Sequence, residues 1–323
     1  LFAKAAYVFK KTVILKNNTL LKFMILIISK NNEITTTTVI KWLIAMKKEF
    51  IRIHENEVFE IKTAEKRILL KSTRNQFFLD EITAVWYRRG NIAFDTLKYE
   101  NQAINRYMFE VQHWLTDYVI KSLEEKKHIN KESNSHVNKL LVLEKAKEVG
   151  LDVPPYFLAE DMKDVIINQT IVKPISGTPI IDMVHENQNG IMYTSVIEQK
   201  KESNFFISFF QDKIEKDFEI RSFYLNGKIY STAIISQNDE RTKIDHRRYN
   251  SKIPNRNVRY NLPLEVEQKI TVLMQALDLN SGSLDFIKSG EKFYFLEINA
   301  IGQFLGMSNA CNYGLEREIA TYL

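Results

Sequence analysis

The chain carries one cysteine, Cys311, among 323 residues, which excludes an internal disulfide and points to a reducing compartment, the cytoplasm. Glycine (10) and proline (6) are scarce, so collagen-like and low-complexity architectures are excluded, and regular elements with short connections are expected. No apolar run approaches the roughly 18 residues of a membrane span. The six histidines lack zinc-ligand spacing: His128 and His136 sit in a polar stretch, and His113 falls on the exposed side of a helical pattern. Cys311 has no histidine near it and is expected to be buried. Neither a nucleophile elbow, a Walker loop nor a dinucleotide loop is present, and there are no internal repeats.

The net charge of +5 is unevenly placed. Lys4, Lys10, Lys11, Lys16 and Lys22 stand in residues 1–23 without an acid, so the remainder is balanced. A neutral body with no basic stripe argues against nucleic acid as a partner, and the missing apolar span argues against a membrane. Residues 1–23 are expected to be an extension outside the fold, with Met24 as a natural start. The length allows two or three domains.

From Met24 the order of elements is α/β. Met24–Ser29 is a short apolar run of the kind buried in parallel sheets. A helix over Thr35–Met46 and a strand over Phe50–Ile53 complete a strand–helix–strand unit. A hairpin over Glu57–Leu70 and a strand over Ala84–Gly90 follow. Ile104, Tyr107, Met108, Val111, Leu115, Tyr118 and Val119 recur at helical spacing, predicting a long amphipathic helix to about Glu125. Lys126–Asn138 is polar and marks a boundary. Lys139–Val149 is helical with Gly150 at its end, and Pro154-Pro155 precedes an extended Tyr156-Phe157-Leu158. Asn189-Gly190 and Asn226-Gly227 read as two-residue turns. Glu265–Leu277 is helical, with Leu264, Ile270, Leu273, Met274 and Leu277 as its apolar side.

The most informative stretch is Gly282–Ile287 followed by Phe293–Asn299. Residues two apart in a strand share a face, so Glu297 and Asn299 project together, and a hairpin brings Asp285 beside them. Three such oxygens suit magnesium. Lys173 ends an apolar strand before Pro174-Ile175-Ser176-Gly177, where a lysine can reach phosphate oxygens and small-residue amides can close over them. Lys139 opens a helix after Asn138. Phe209-Phe210-Gln211-Asp212-Lys213-Ile214 reads as a strand edge able to hold an adenine ring, and Glu219-Ile220-Arg221 places an acid and a base on one face. Asp245-His246-Arg247-Arg248 can offer a guanidinium to a transferring phosphoryl group. Taken singly, each of these is also an ordinary surface feature.

In order and spacing the set resembles the ATP-grasp ligases. Within them it is similar to the grasp-with-spasm peptide maturases, cousins of the microviridin macrocyclases. Val85-Trp86-Tyr87-Arg88-Arg89, Phe218–Tyr224, Ser236–Glu240, Phe295–Asn299 with Gly302-Gln303-Phe304, and Cys311-Asn312-Tyr313 carry the narrower likeness. Two departures stand out: the loop after Lys173 has a single glycine, and residues 1–23 have no counterpart. The resemblance implies a three-part α/β (α+β) fold: an N-terminal domain over 24–128, a central subdomain over 129–208, and a C-terminal subdomain with the metal site over 209–323. Nucleotide would lie between the last two.

The same resemblance implies roles. Lys139 and Lys173 would hold ATP phosphates; Gln211, Asp212, Lys213 and Ile214 would form the adenine hinge; Glu219 and Arg221 would stand at the nucleotide mouth. Arg247, with Lys173, would serve the reacting phosphoryl group. Asp285, Glu297 and Asn299 would bind Mg2+, or Mn2+ in its place. The expected activity is ATP-dependent activation of Asp or Glu side chains in a ribosomally made precursor peptide and their joining to Ser, Thr or Lys as macrocyclic esters or amides. A leader-bearing precursor, a homodimer and a SPASM-domain partner protein are the implied partners. A ligase adding free amino acids and a non-catalytic peptide-binding module are the alternatives.

Overall fold

Met24–Ile28 is buried at every position. A strand with no solvent face must be covered on both sides, and a parallel sheet supplies that cover. The strands Glu49–Ile53, Met24–Ile28, Ile82–Tyr87 and Lys127–Ile129 lie side by side in that order, parallel throughout. The computed structural model describes residues 23–176, 180–185, 188–200, 204–237 and 255–323. The segment before Phe23 lies outside the described residues. So do Gly177, Asn238–Glu240 and the Asp245-His246-Arg247-Arg248 run.

The chain divides into two compact units. One reaches Glu132 and takes in Ala320–Leu323, and the other spans Ser133–Ile319. In the first, Leu26, Ile28, Val85, Phe59, Leu70, Val119 and Leu123 form one core. It joins the parallel sheet to the long helix Gln102–Glu124 and to a second sheet built on the hairpin Val58–Ala64 and Arg67–Lys71. Helix Ile34–Ala45 starts on Glu33, whose carboxylate accepts from the Thr36 N–H and hydroxyl, both at 2.5 Å.

The second unit holds two antiparallel sheets. Ser195–Val196, Thr170–Lys173, Ser208–Asp212 and Tyr156–Ala159 make the first. Arg256–Tyr260, Lys228–Ile235, Phe218–Leu225, Ser281–Ser289 and Lys292–Asn299 make the second. Ile220, Leu284, Phe286, Phe295 and Ile298 bury one face of that larger sheet with Val142 and Leu143 of helix Lys139–Glu148 and Ile270, Leu273 and Met274 of helix Leu264–Ala276. The central and C-terminal lobes expected from the sequence thus share one compact unit.

Four sequence readings are corrected. Lys127–Ile129, read as polar linker, is a strand of the parallel sheet. Strand pairing there is a backbone property that Lys127 and His128 satisfy as well as apolar residues would, while Ile129 is buried. Asn189-Gly190 lies within the strand Gln188–Ile191, with Gly190 opposite Ile181 and Gln188 opposite His185. Register overrides the local turn signal. Asn226-Gly227 does turn the chain, with φ of 45° and 89° between the paired Leu225 and Lys228. Leu264, read as part of a buried helix side, is exposed. The fourth correction concerns Gln102–Glu124. The helix forms, but Ile104, Tyr107, Leu115 and Tyr118 on its expected core side are exposed, and burial is confined to Val119 and Leu123.

Candidate active site

Two strands of the larger sheet carry the expected oxygen ligands. Asp285 lies directly opposite Glu297 in register, and Ser283 opposite Asn299. Strict alternation would put Glu297 on the same face as the buried Phe295. A bulge intervenes: the register shifts between Asp285 and Phe286, so that Phe286 pairs with Phe295 and Leu296 is the extra residue. Phe295 and Ile298 therefore both enter the core while Glu297 turns out beside Asp285, the re-aiming that bulges perform. Gly302, at φ 68°, sets the return after Asn299. Its N–H donates to the Asn299 carbonyl at 3.0 Å, and a side chain there would meet the Phe223 ring at 3.0 Å.

On the other side of Asp285 stands Arg221, its register partner in Phe218–Leu225. The guanidinium grips both carboxylate oxygens, Nε to Oδ1 and Nη2 to Oδ2, each at 2.8 Å. Asp285 above all holds the arginine's pKa up, against the pull of burial, with Glu297 and Glu219 adding in the same direction. Glu297 has a cation of its own. Lys139 Nζ lies 2.9 Å from its Oε2 and donates to the Pro174 carbonyl at 3.0 Å. Lys139 is aimed by its helix, whose first turn is fixed by the Asn138 side chain accepting from the Leu140 and Leu141 N–H groups. The result is an unbroken charge row: Arg221, Asp285, Glu297, Lys139. Lys173 adjoins it, being the last residue of Thr170–Lys173 and the neighbour of Pro174.

The adenine-hinge residues divide. Ser208–Asp212 is not a sheet edge: it lies between Thr170–Lys173 and Tyr156–Ala159. The N–H groups of Asp212 and Lys213 already donate to Pro155 and Gln169, at 2.8 and 2.7 Å. The edge reading is therefore corrected; apolar strand content does not distinguish an edge from an interior position. Gln211 is different. It is 1% exposed, and neither its Nε2 nor its Oε1 has a hydrogen-bond partner. A buried primary amide with both ends idle is rare and calls for a ligand with a donor and an acceptor, which the edge of an adenine provides. Asp212 is exposed, Lys213 pairs with Glu215 at 2.6 Å, and Ile214 is half-buried. Glu219 is buried in an ion pair with Lys216, a partner the sequence reading passed over. Arg247 lies outside the described residues.

Among the described residues no group of three His, Cys, Asp or Glu side chains could hold a metal ion. The set at hand is two carboxylates and the Asn299 amide, all oxygen donors of the hard kind that Mg2+ takes. Their donor chemistry suits Mg2+, while Arg221 and Lys139 already hold the two acids in ion pairs.

No protein-family model matches the chain, and no curated protein matches it. Solved structures do. The Chryseobacterium gregarium RiPP-associated ATP-grasp ligase, in complex with ADP and a leader and core peptide, superposes with a TM-score of 0.74 at 22% identity, over 93% of this chain and 95% of that one. Macrocyclase MdnC from Microcystis aeruginosa, bound with precursor peptide MdnA, gives 0.72 at 21% identity, over 93% and 99%. The ATP-grasp ligase PsnB, complexed with a phosphomimetic variant of a minimal precursor, Mg and ADP, gives 0.65 at 16% identity, over 93% of this chain and 97% of that one.

The chain has the ATP-grasp fold. Within it the expected site residues that are described all belong to the unit Ser133–Ile319.

Proposed function

We propose that this chain is an ATP- and Mg2+-dependent peptide maturase of the cytoplasm. It would activate Asp or Glu side chains of a leader-bearing precursor peptide and join them to Ser or Thr hydroxyls, or Lys amines, as macrocyclic esters or amides. The observation that carries this is the row Arg221–Asp285–Glu297–Lys139 beside Lys173, on a fold whose solved examples hold nucleotide and precursor peptides.

A carboxylate has no usable leaving group at neutral pH. Transfer of the γ-phosphoryl group of ATP to a carboxylate oxygen gives an acyl phosphate and ADP. A hydroxyl or amine then attacks the carbonyl carbon, phosphate departs with the C–O bond electrons, and the nucleophile's proton passes to solvent or phosphate. Lys139 and Lys173 would neutralise phosphate oxygens, Gln211 would read the base, and Arg247 would face the transferred group. Bound Mg2+ at Asp285, Glu297 and Asn299 would supply charge neutralisation on the phosphates. No covalent enzyme intermediate is required, which suits a chain whose one thiol is buried.

Two partners belong to the same reading. A homodimer is supported by the exposed stripe Ile104, Tyr107, Leu115 and Tyr118 on Gln102–Glu124, and a SPASM-domain protein would act with the maturase. Among the described residues no helix is long and apolar enough to cross a membrane.

The test is a mass measurement. Purified chain, cognate precursor, ATP and Mg2+ should give a product lighter by one water per crosslink. A product heavier by an amino-acid residue would assign free amino-acid ligation instead, and ADP formation with no change in peptide mass would dismiss the maturase reading.

A further inference from the structure

The motif Trp86-Tyr87-Arg88-Arg89 takes no part in the site above. It ends a strand of the parallel sheet in the first unit, whose order fixes a crevice. From Met24–Ile28 the chain first adds Glu49–Ile53 on one side and later Ile82–Tyr87 on the other. Between Met24–Ile28 and Ile82–Tyr87 the direction of winding reverses, and in open parallel sheets ligands bind beyond the carboxyl ends of the strands at such a switch point.

Cations collect at those carboxyl ends. Lys30 follows the first strand, Arg52 and His54 close the second, and Arg88 and Arg89 follow the third. Arg52, Ile27 and Trp86 form one cross-strand row, and Arg88 stands two residues beyond Trp86. The Arg88 and Arg89 N–H groups both donate to the Ile28 carbonyl, at 2.9 and 3.2 Å, which binds the pair to the switch point. Arg52 Nη2 donates to the Lys30 carbonyl at 2.8 Å.

The charges there are under-compensated. Arg88, 2% exposed, pairs with Glu33 at 3.2 Å, and Lys30 with Glu55 at 3.5 Å. Among the described residues neither Arg52 nor Arg89 has a carboxylate partner, and the Nε of each is buried without a hydrogen bond. Burial pulls the Arg88 guanidinium down, and Arg89 pulls the same way against Glu33. Burial also lowers His54, with Arg52 and Arg74 adding to it and the buried Glu57 opposing them. Buried guanidinium Nε donors left idle on the two strands that flank Met24–Ile28 are what an incoming anion would satisfy, and the planar fork selects a carboxylate geometry.

We propose that Arg52 and Arg89, with Arg88 anchored by Glu33, form a carboxylate-binding site at the switch point of the first unit, and that its ligand is an acidic peptide side chain. The choice of an acidic peptide rests on the maturase reading; the anion site itself does not. Binding without nucleotide therefore tests this proposal separately from the mass change that tests the other.

The experiment uses the full chain, a short fluorescent peptide rich in Glu and Thr, and the same peptide with Gln for Glu. Anisotropy is read at low and moderate salt in the absence of ATP. Wild type should bind the Glu peptide, more weakly as salt rises, and bind the Gln peptide at least about tenfold more weakly. Arg89→Gln should lose about tenfold for the Glu peptide and Arg89→Lys less, with ADP binding unchanged in both as the check on folding. Arg52→Gln provides the same comparison should Arg89→Gln fold poorly. Failure of wild type to bind the Glu peptide, equal binding of the Glu and Gln peptides, or unaltered binding by both glutamine variants would overturn the site. Full displacement of the peptide by inorganic phosphate at lower concentration than by acetate would overturn the carboxylate assignment.

Discussion

Lys139 Nζ sits 2.9 Å from Glu297 Oε2 and 3.0 Å from the Pro174 carbonyl, so one ammonium ties the start of a helix to a proposed metal ligand and to the strand end after Lys173. The same lysine is proposed to hold phosphate, and phosphate and Glu297 compete for it. Lys139→Met should lower ATP turnover by about a hundredfold through loss of a positioned charge. It should also tighten Mg2+ binding in the absence of nucleotide, because Glu297 loses its cation. Calorimetry with Mg2+ alone reads the second effect. Unchanged or weaker Mg2+ binding would remove Glu297 from the metal site.

Arg221 and Asp285 form a two-bond fork that is nearly out of solvent. Arg221→Met leaves Asp285 without its partner, a change that typically costs about 3–5 kcal/mol when the pair is buried and less as exposure grows. Asp285 keeps some exposure, so about 2–3 kcal/mol is expected. If Mg2+ binds at Asp285, it takes over the neutralisation and part of that loss is recovered. Urea midpoints of the variant with EDTA and with millimolar Mg2+ should therefore differ by more than those of wild type.

The pairing just described shows where reading from sequence stops. That Glu297 and Asn299 share a strand face was legible because strand periodicity acts over two residues, and the helix start at Lys139 because Asn138 signals it. Arg221 was visible as a charged strand residue, but its partner lies 64 residues away and follows from sheet order, which no local pattern encodes. The bulge at Leu296 was hidden for the same reason, although it decides which way Glu297 points. Likewise periodicity identified the apolar face of Gln102–Glu124 but could not say whether anything covers it. Gln211 was found for its place in an adenine-hinge pattern; its idle amide is a property of burial that appears only in three dimensions.

Uncovered apolar surface gives the next prediction. Tyr107 and Tyr118, 66% and 57% exposed, stand three helical turns apart on the stripe that includes Ile104 and Leu115. Exposed aromatic stripes of this kind mark association surfaces. Light scattering of wild type should report a dimer, and Tyr107→Glu with Tyr118→Glu a monomer of unchanged circular dichroism. A monomeric wild type would leave the stripe without a role in self-association.

Glu33 provides a pH signature in the first unit. Burial is the largest single influence on its carboxyl and raises it, but Arg88 and the two bonds from Thr36 together outweigh burial and hold the pKa below the ordinary 4.5. A depressed folded-state value means that the stabilisation is complete above about 4.5 and is lost as pH falls through the folded value. Glu33→Gln keeps an acceptor for the helix start but abandons the charge opposite Arg88. The variant should be less stable than wild type by about 3 kcal/mol at pH 7. The difference should shrink as pH falls through the folded-state value, where wild-type Glu33 itself becomes protonated. A constant difference across that range in urea titrations would show that the charge is not what Arg88 uses.

Gln211 connects stability to binding with opposite signs. Its two idle amide atoms are buried, and an unsatisfied buried polar group costs about 1–3 kcal/mol. Leucine is close in volume and has nothing to satisfy, so Gln211→Leu should raise the unfolding free energy of the nucleotide-free protein by about 1 kcal/mol. If the amide reads adenine, the same substitution should weaken ADP binding by about tenfold, since both amide ends would lose their complements on the base. Gln211→Glu separates the two effects: it keeps the shape and one acceptor but buries a carboxyl, so it should lose stability and affinity together. Gln211→Leu binding ADP as tightly as wild type would remove the residue from the nucleotide site while leaving the stability gain to be explained by burial alone.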